Sequence, residues 1–143
     1  MELFLIAHIA ERGVAIPAEQ VGSVVDIGEV VAVPCADSAV RGLTALRSRV
    51  VTVIDTGTAL GLSPTPDTVK RAVITRVDGH DYAILVDSLE DVAAFDRLPL
   101  SSGLALHHGW AAAAAGIVER EGEPMLVLDL AAVVASTVSA IAA

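Results

Sequence analysis

Arg41-Gly42-Leu43-Thr44-Ala45-Leu46-Arg47-Ser48-Arg49-Val50-Val51-Thr52-Val53-Ile54-Asp55 is the stretch from which the rest of the chain is read. Its first part is polar and turn-forming and carries three arginines, and its last part, Val50 to Asp55, is dense in β-branched residues. Such side chains are stiff at χ1 and suit a pleated, packed surface, so Val50–Asp55 is expected to be a strand buried largely on both faces. Gly42 allows the backbone to bend or to approach a neighbour closely. Arg47 is expected at the lip of the strand, with its stem on apolar surface and its guanidinium presenting a fork of donors. Two roles suit that position: a salt bridge, with Asp26 or Asp87 as partner, and an anchor for another protein.

The chain has 143 residues, enough for one domain or for two small subdomains sharing a core. Hydrophobic residues make up 54% and aromatic residues only 3%, so the core is built from Val, Ala, Leu and Ile rather than rings. Cys35 is the single cysteine and has no partner for an intramolecular disulfide, which fits a reducing compartment; a lone cysteine of this kind is read as a small buried hydrophobe. Formal net charge is −9, and no basic patch is interleaved with aromatics, which argues against nucleic-acid binding. The arginines at 41, 47 and 49 are a local exception on an acidic protein and a candidate contact patch. The last uninterrupted apolar stretch, Leu130 to Ala143, has fourteen residues, short of the ~20 a spanning helix needs. Acidic residues follow Met1 too closely for a signal peptide. A soluble cytoplasmic protein is expected.

Outward from the central stretch, Leu3–Ile9 and Gly13–Ile16 flank a charged turn and read as a β-hairpin. Pro17 then opens a short helix in which Val21, Val24 and Val25 share a face, ended by Asp26-Ile27-Gly28. Val30–Val33 reads as a short strand stopped by Pro34, and Thr56–Leu62 as a helical turn ending at Gly61. Ser63-Pro64-Thr65-Pro66-Asp67 is the clearest linker, because two prolines fix φ and cannot donate to a ladder. Beyond it, Ala72–Val77 and Tyr82–Asp87 form a hairpin about Asp78-Gly79-His80, and Ser88–Phe95 continues as a shorter strand. Leu98–His108 is irregular, the Ala111–Ala115 run is open between helix and strand, and Gly116–Glu119 and Met125–Leu128 form a closing hairpin. Asp129 caps a final helix with an apolar stripe of Leu130, Val133, Val134, Val138 and Ile141. Many short strands between Gly- and Pro-containing turns argue for small barrels. No long internal repeat is evident beyond this two-part strand pattern.

Little in the chain recommends catalysis. His107-His108 lack a third ligand at metal spacing, so no metal site is expected, and His8 and His80 read as a hairpin-face and a solvated turn residue. Ser101-Ser102-Gly103 lacks the strand–turn–helix setting of a nucleophile elbow. Asp55, Asp87 and Asp129 each close an apolar strand and read as caps of turns or helices. No glycine-rich phosphate cradle is present, and no cofactor is expected.

The Arg41–Asp55 stretch resembles the signature of the CheW-like domain family, although Ala45, Ser48 and Thr52 stand where that family usually carries Asn, Gly and Pro. The segment order supports the resemblance from Leu3 to Val134, with Val24–Ile27, the Ala83–Asp87 strand end and the Gly116–Leu130 hairpin as further matches. It implies a mainly β fold of two SH3-like five-stranded β-barrel subdomains around a shared apolar core, with short helices and a C-terminal helix. The subdomains are expected at about residues 10–66 plus helix 129–142, and about 67–128 plus the N-terminal strand 3–9. It further implies an adaptor, not an enzyme, that joins the cytoplasmic tip of a chemoreceptor to the regulatory domain of the histidine kinase CheA. Val24, Ile27, Leu46, Arg47, Val86 and Asp87 are then the expected receptor surface. Val40, Arg41, Gly42, Thr44, Thr56 and Leu60 are the expected kinase surface. Two other readings stand beside this one: a CheW-like scaffold in a different signalling or motility array, and a small-ligand-binding β-barrel.

Overall fold

The computed structural model describes residues 1–34, 38–100, 110 and 113–142. The strands are β1 (Glu2–Ile9), β2 (Arg12–Pro17), β3 (Ser23–Asp26), β4 (Val40–Leu46) and β5 (Arg49–Ile54), then β6 (Arg71–Val77), β7 (His80–Leu85), β8 (Ser88–Phe95), β9 (Ala114–Arg120) and β10 (Glu123–Leu128). Among the described residues the strands are accompanied by α1 (Thr56–Ala59), α2 (Leu130–Ala142) and a 3-10 turn at Ala18–Gln20. The strands form two five-stranded sheets, in the orders β8-β1-β2-β10-β9 and β3-β6-β7-β5-β4. The fold is mainly β and SH3-like, as expected. The sheets stay open rather than closing into barrels, with β8 and β9 as the edges of one and β3 and β4 as the edges of the other.

Four hairpins share one turn chemistry. Ala10-Glu11, Arg47-Ser48, Asp78-Gly79 and Glu121-Gly122 all have positive φ at both residues, as in the two-residue turns whose twist matches that of antiparallel strands. The β4–β5 hairpin corrects the reading of Arg41–Arg49 as a polar turn. Residues 40–46 are a full strand, and only Arg47-Ser48 turns. The turn was hidden because neither residue is the Gly, Asn or Asp that signals φ > 0.

Alternation along the strands explains why so many runs are apolar throughout. In β1, Leu5, Ala7 and Ile9 join the central cluster between the sheets, while Phe4 and Ile6 join a cluster belonging to their own sheet with Val118, Met125 and Val127. In the second sheet, Val73 and Ile84 point to the centre, while Ala72, Ile74, Ala83 and Leu85 pack with Val51 and Val53 on the other face. The shared core is therefore one of three apolar layers, and each central strand is buried on both faces. At ~25 cal/mol per Å² of apolar surface, burying two faces per strand supplies the main driving force, and the few rings add to it, since Trp110 and Phe4 are the largest fully buried side chains.

The chain passes between sheets at two places other than the proline-rich linker. One is the 3-10 turn and Val21-Gly22. The other is Val86-Asp87, where the Val86 N–H donates to Arg71 O in the second sheet and the Asp87 N–H to His8 O in the first. Pro64 and Pro66 do break the ladder, but the loop they form stays attached to the second sheet: Thr65 N–H donates to Asp55 at 2.9 Å. Strands 12–17 and 88–128 thus share a sheet with β1, and strands 23–85 make up the other, so the sheets part elsewhere than the expected 10–66 and 67–128 division.

Two local expectations also change, and the alanine run, left open, is partly settled. Val24 and Val25 lie in β3, paired with Val73 and Ala72, instead of on a helix, because β-branched residues fit the sheet edge better than a helix face. Residues 30–33 contribute only a single bridge, Val31 to Leu43. In the alanine run, Ala114 and Ala115 begin β9 with Gly116, and Ala111–Ala112 lie outside the described residues, as do Cys35, Ser101–Gly103 and His107–His108.

The α2 helix leaves the first sheet and packs on α1 and β6 of the second. Leu130, Val133 and Val134 are buried, and Asp129 caps the helix through the Ala131 N–H at 3.0 Å. The Val138 and Ile141 side chains lie outside the described residues. Gln20, unremarked in the sequence, clamps this helix start: its amide donates to Asp129 at 2.7 Å while its oxygen accepts the Leu130 N–H at 2.8 Å. Both ends of one side chain thereby satisfy groups that a helix N-terminus leaves open.

The two sheets repeat one plan, strand for strand: β8, β1, β2, β10 and β9 correspond to β3, β6, β7, β5 and β4. The parallel pairs β10–β2 and β5–β7 match, Gly42 and Gly116 both sit at bulges with φ near +150°, and Asp55 and Asp129 both follow the last strand as helix caps. This repeat escaped sequence reading because the matched positions share burial rather than residue identity.

Candidate functional site

The residues expected to face a receptor fall in two adjoining places. A cleft of about 640 Å³ opens where the sheets meet, lined by Asp26, Ile27, Val69, Arg71, Asp87 and Leu89 among others. A groove of about 540 Å³ opens on the second sheet, with Val25, Leu46, Val51 and Ile74 as its apolar floor and Arg47 on its rim. β3 is the rib between them, because Ser23 and Val25 line the groove while Asp26 lines the cleft. Val24, on that same rib, is exposed.

Burial separates surface residues from supports within this set. Val24, Arg47 and Asp87 are exposed and Leu46 is half-buried, whereas Ile27 and Val86 are buried. Ile27 packs with Val51 and Val53, and Val86 fixes the strand junction, so these two shape the surface from beneath. The salt-bridge role expected for Arg47 is not the one found. Asp26 pairs with Arg71 at 2.6 Å, and Asp87 accepts the Glu11 N–H at 3.1 Å. Among the described residues the Arg47 guanidinium, raised on a turn residue with φ of 49°, makes no ion pair. It is a donor fork held out to solvent.

The residues expected to face a kinase are mostly inside. Gly42, Thr44, Thr56 and Leu60 are buried, while Val40 and Arg41 keep partial exposure. The Thr44 hydroxyl donates to Glu29 O at 2.8 Å and the Thr56 hydroxyl to Leu85 O at 2.6 Å, tying β4 to the preceding loop and α1 to β7. Arg41 donates to Asp55 at 3.0 Å and to the carbonyl of Thr65. Its role is to lock the Ser63–Asp67 loop against the end of β5.

Asp55 is the centre of that lock. Burial alone pushes its carboxyl up. The Thr65 and Thr58 N–H groups, the Thr65 hydroxyl and Arg41 together outweigh burial and hold it below the usual carboxylate range. Its carboxylate caps α1 through Thr58 N–H at 3.1 Å, as expected of an aspartate closing a strand. His8 lies on its hairpin face, near Glu90 at 3.8 Å and Ser88 at 3.4 Å. Among the described residues no group of three or more His, Cys, Asp or Glu side chains is placed to hold a metal ion. Nor is any helix among them long and apolar enough to cross a membrane.

Arg49, Arg76 and Asp81 share the rim with Arg47, and Arg49 pairs with Asp81 at 3.2 Å; of these, sequence reasoning missed Arg76 and Asp81. Arg49 was visible as a member of the arginine cluster. Nothing in the sequence placed Arg76 beside it, because their proximity depends on β5 and β6 flanking β7.

A family model described as CheW-like domain matches residues 3–138. Among solved structures, the scaffolding protein TtCheW from Thermoanaerobacter tengcongensis superposes with a TM-score of 0.80, at 18% sequence identity, over 92% of this chain and 91% of that one. At that identity the likeness speaks to the fold. No curated protein sequence matches the chain.

Proposed function

The chain belongs to the CheW-like domain family, a family of scaffolds and adaptors, and from that premise we propose that it is a cytoplasmic chemotaxis adaptor joining chemoreceptors to the histidine kinase CheA. The family match over residues 3–138 carries this reading. The surface supports it. An unpaired arginine and an exposed valine stand beside an apolar groove and a cleft, an arrangement suited to gripping another macromolecule. Arginine anchors and apolar floors are what desolvated protein contacts use, and no reacting atoms need be positioned.

The receptor tip, a long helical hairpin, lies along β3 and meets Val24, Leu46, Arg47 and Asp87, with Ile27 and Val86 holding that surface from below. The kinase regulatory domain meets the β4 side around Val40 and Arg41, a surface whose shape Gly42, Thr44, Thr56 and Leu60 maintain. Coupling works through assembly: the adaptor fixes the geometry in which receptor and kinase meet. A CheW-like scaffold in another signalling or motility array is the second reading, favoured by Ser48, which has φ of 70° where the family usually carries glycine. The test is capture by an immobilised receptor tip. Arg47→Glu and Val24→Asp abolish capture with unchanged circular dichroism if the reading holds, and capture at the unmutated level by both variants removes this surface from the account.

A further inference from the structure

Eight arginines share this chain with 18 acidic side chains, so each guanidinium has acids in excess to choose from. Five of them take one within salt-bridge distance, as Arg41 takes Asp55 and Arg49 takes Asp81. Arg12 lies over the Trp110 ring, 5.9 Å from its centroid. Among the described residues Arg47 and Arg76 have neither an acid nor a ring; Arg76 donates only to the Gly79 carbonyl, at 3.3 Å. Both line the same groove of the second sheet. Side chains alternate along a strand, so Ile74 and Arg76 on β6, and Val51 and Arg49 on β5, reach one face together. An apolar row thus runs beside a charged row. In the charged row Asp81 stands opposite Arg76 in register and is committed to Arg49 at 3.2 Å. Three guanidiniums against one carboxylate leave the groove with two positive charges that nothing in it cancels.

We propose that this groove binds a phosphate monoester carried on an apolar body, the phosphate held by Arg47 and Arg76 and the body lying on Val25, Val51 and Ile74. Charge selects the head group. A phosphomonoester carries about −1.5 to −2 near neutrality and offers three acceptor oxygens, which matches two unpaired guanidiniums. A carboxylate or sulfonate brings one charge and leaves an arginine uncompensated. Geometry agrees, because the planar guanidinium fork meets phosphate oxygens bidentately. The groove's volume of about 540 Å³ lies within the ~300–1,000 Å³ of small-molecule sites. Its floor is aliphatic, so part of the affinity comes from an apolar body and not from the anion alone. On a chain of net charge −9 this basic groove also draws anions that the rest of the surface repels. Two sources carry such chemistry: a soluble phosphomonoester, and the headgroup of a phosphatidate-type lipid with its acyl chains. The proposal rests on the groove and not on the receptor reading; where both hold, ligand and receptor tip compete for Arg47.

The experiment is calorimetric titration of the full chain, without receptor, using hexyl phosphate, hexyl sulfonate and inorganic phosphate at about pH 7.5, where the monoester is largely dianionic. Hexyl phosphate binds about tenfold more tightly than inorganic phosphate, from the part of the alkyl chain that the floor covers. It also binds about tenfold more tightly than hexyl sulfonate, which has the same body and one charge. Arg47→Gln and Arg76→Gln each weaken hexyl phosphate by about tenfold or more, with unchanged circular dichroism. Arg76→Lys keeps the charge and recovers part of the loss, which separates the contact from folding. Vesicles of phosphatidylcholine with about one-fifth phosphatidic acid distinguish the sources. Sedimentation of the chain with these but not with phosphatidylcholine alone assigns the lipid; hexyl phosphate binding without sedimentation assigns a soluble ligand. Either result upholds the site. Hexyl phosphate that does not bind, that binds no better than inorganic phosphate or hexyl sulfonate, or that binds both glutamine variants as it binds wild type, overturns the proposal. Arg76 lies outside the proposed receptor surface, so receptor capture that survives Arg76→Gln while ligand binding is lost keeps the two readings apart.

Discussion

Replacing Asp55 by alanine removes one carboxylate and strands three groups that it now satisfies. Oδ1 accepts the Thr58 N–H at 3.1 Å and the buried Thr65 N–H at 2.9 Å, and Oδ2 takes Arg41 at 3.0 Å. Loss of the helix cap costs about 1 kcal/mol. A buried N–H left without an acceptor costs about 1–3 kcal/mol. Arg41 keeps the Thr65 carbonyl but loses its counter-charge; its side chain is 18% exposed, so the cost falls below the ~3–5 kcal/mol of breaking a fully buried pair. These losses share one carboxylate and do not simply add. Together they amount to about 3–5 kcal/mol, a large part of the ~5–15 kcal/mol that holds an ordinary domain folded. The melting midpoint then falls by about 10 °C, measured by circular dichroism with urea titration alongside. A loss below about 1 kcal/mol would refute the assignment of Asp55 as the lock between β5, α1 and the proline-rich loop. The pH dependence follows from the depressed carboxyl. Its contribution is fully present above the ordinary aspartate value of about 4 and is lost as pH falls through the lower folded value. The stability gap between wild type and Asp55→Asn is therefore constant from neutrality to about pH 4 and narrows below it; a gap that widens on acidification would reverse the sign argued here.

Two other substitutions probe the supports. Gly42→Ala places a Cβ inside the van der Waals radius of the Val31 carbonyl oxygen at a φ of +151°, so it lowers stability by about 2 kcal/mol or more in urea titration and disturbs the Val31–Leu43 bridge. Gln20→Ala removes both halves of the clamp on α2 and costs about 1–2 kcal/mol, with the amide protons of Leu130 to Ala132 exchanging faster than in wild type.

Strand content was legible wherever burial on two faces demanded unbroken apolar runs: 3–9, 50–55, 72–77 and 82–87 all announce themselves that way. Turns were legible where residue type signals φ > 0, as at Asp78-Gly79, and invisible at Arg47-Ser48, where tertiary pairing forces two ordinary residues into that region. Membership of sheets was not legible from the linker. Proline content reports which residues cannot donate to a ladder, not which sheet their neighbours join, and Thr65 is held by Asp55 whatever its flanking prolines suggest. Of the site, Arg47 could be named because a cation cluster on an acidic chain is conspicuous. Its freedom from Asp26 could not, since Arg71 lies 45 positions from Asp26 and takes that carboxylate first. The expected kinase-facing residues show the complementary failure. Motif position marks Thr44, Thr56 and Leu60 as special, but their special role is internal, in hydrogen bonds to carbonyls and in packing.

The most direct measurement is reconstitution of the three-way complex: this chain, an immobilised chemoreceptor tip and the regulatory domain of CheA, with kinase-domain capture read with and without the chain. The account predicts that the kinase domain is retained only when the chain is present, and that Arg47→Glu eliminates the retention while the folded spectrum persists. Equal kinase capture in the absence of the chain, or a chain that binds neither partner while fully folded, would contradict it.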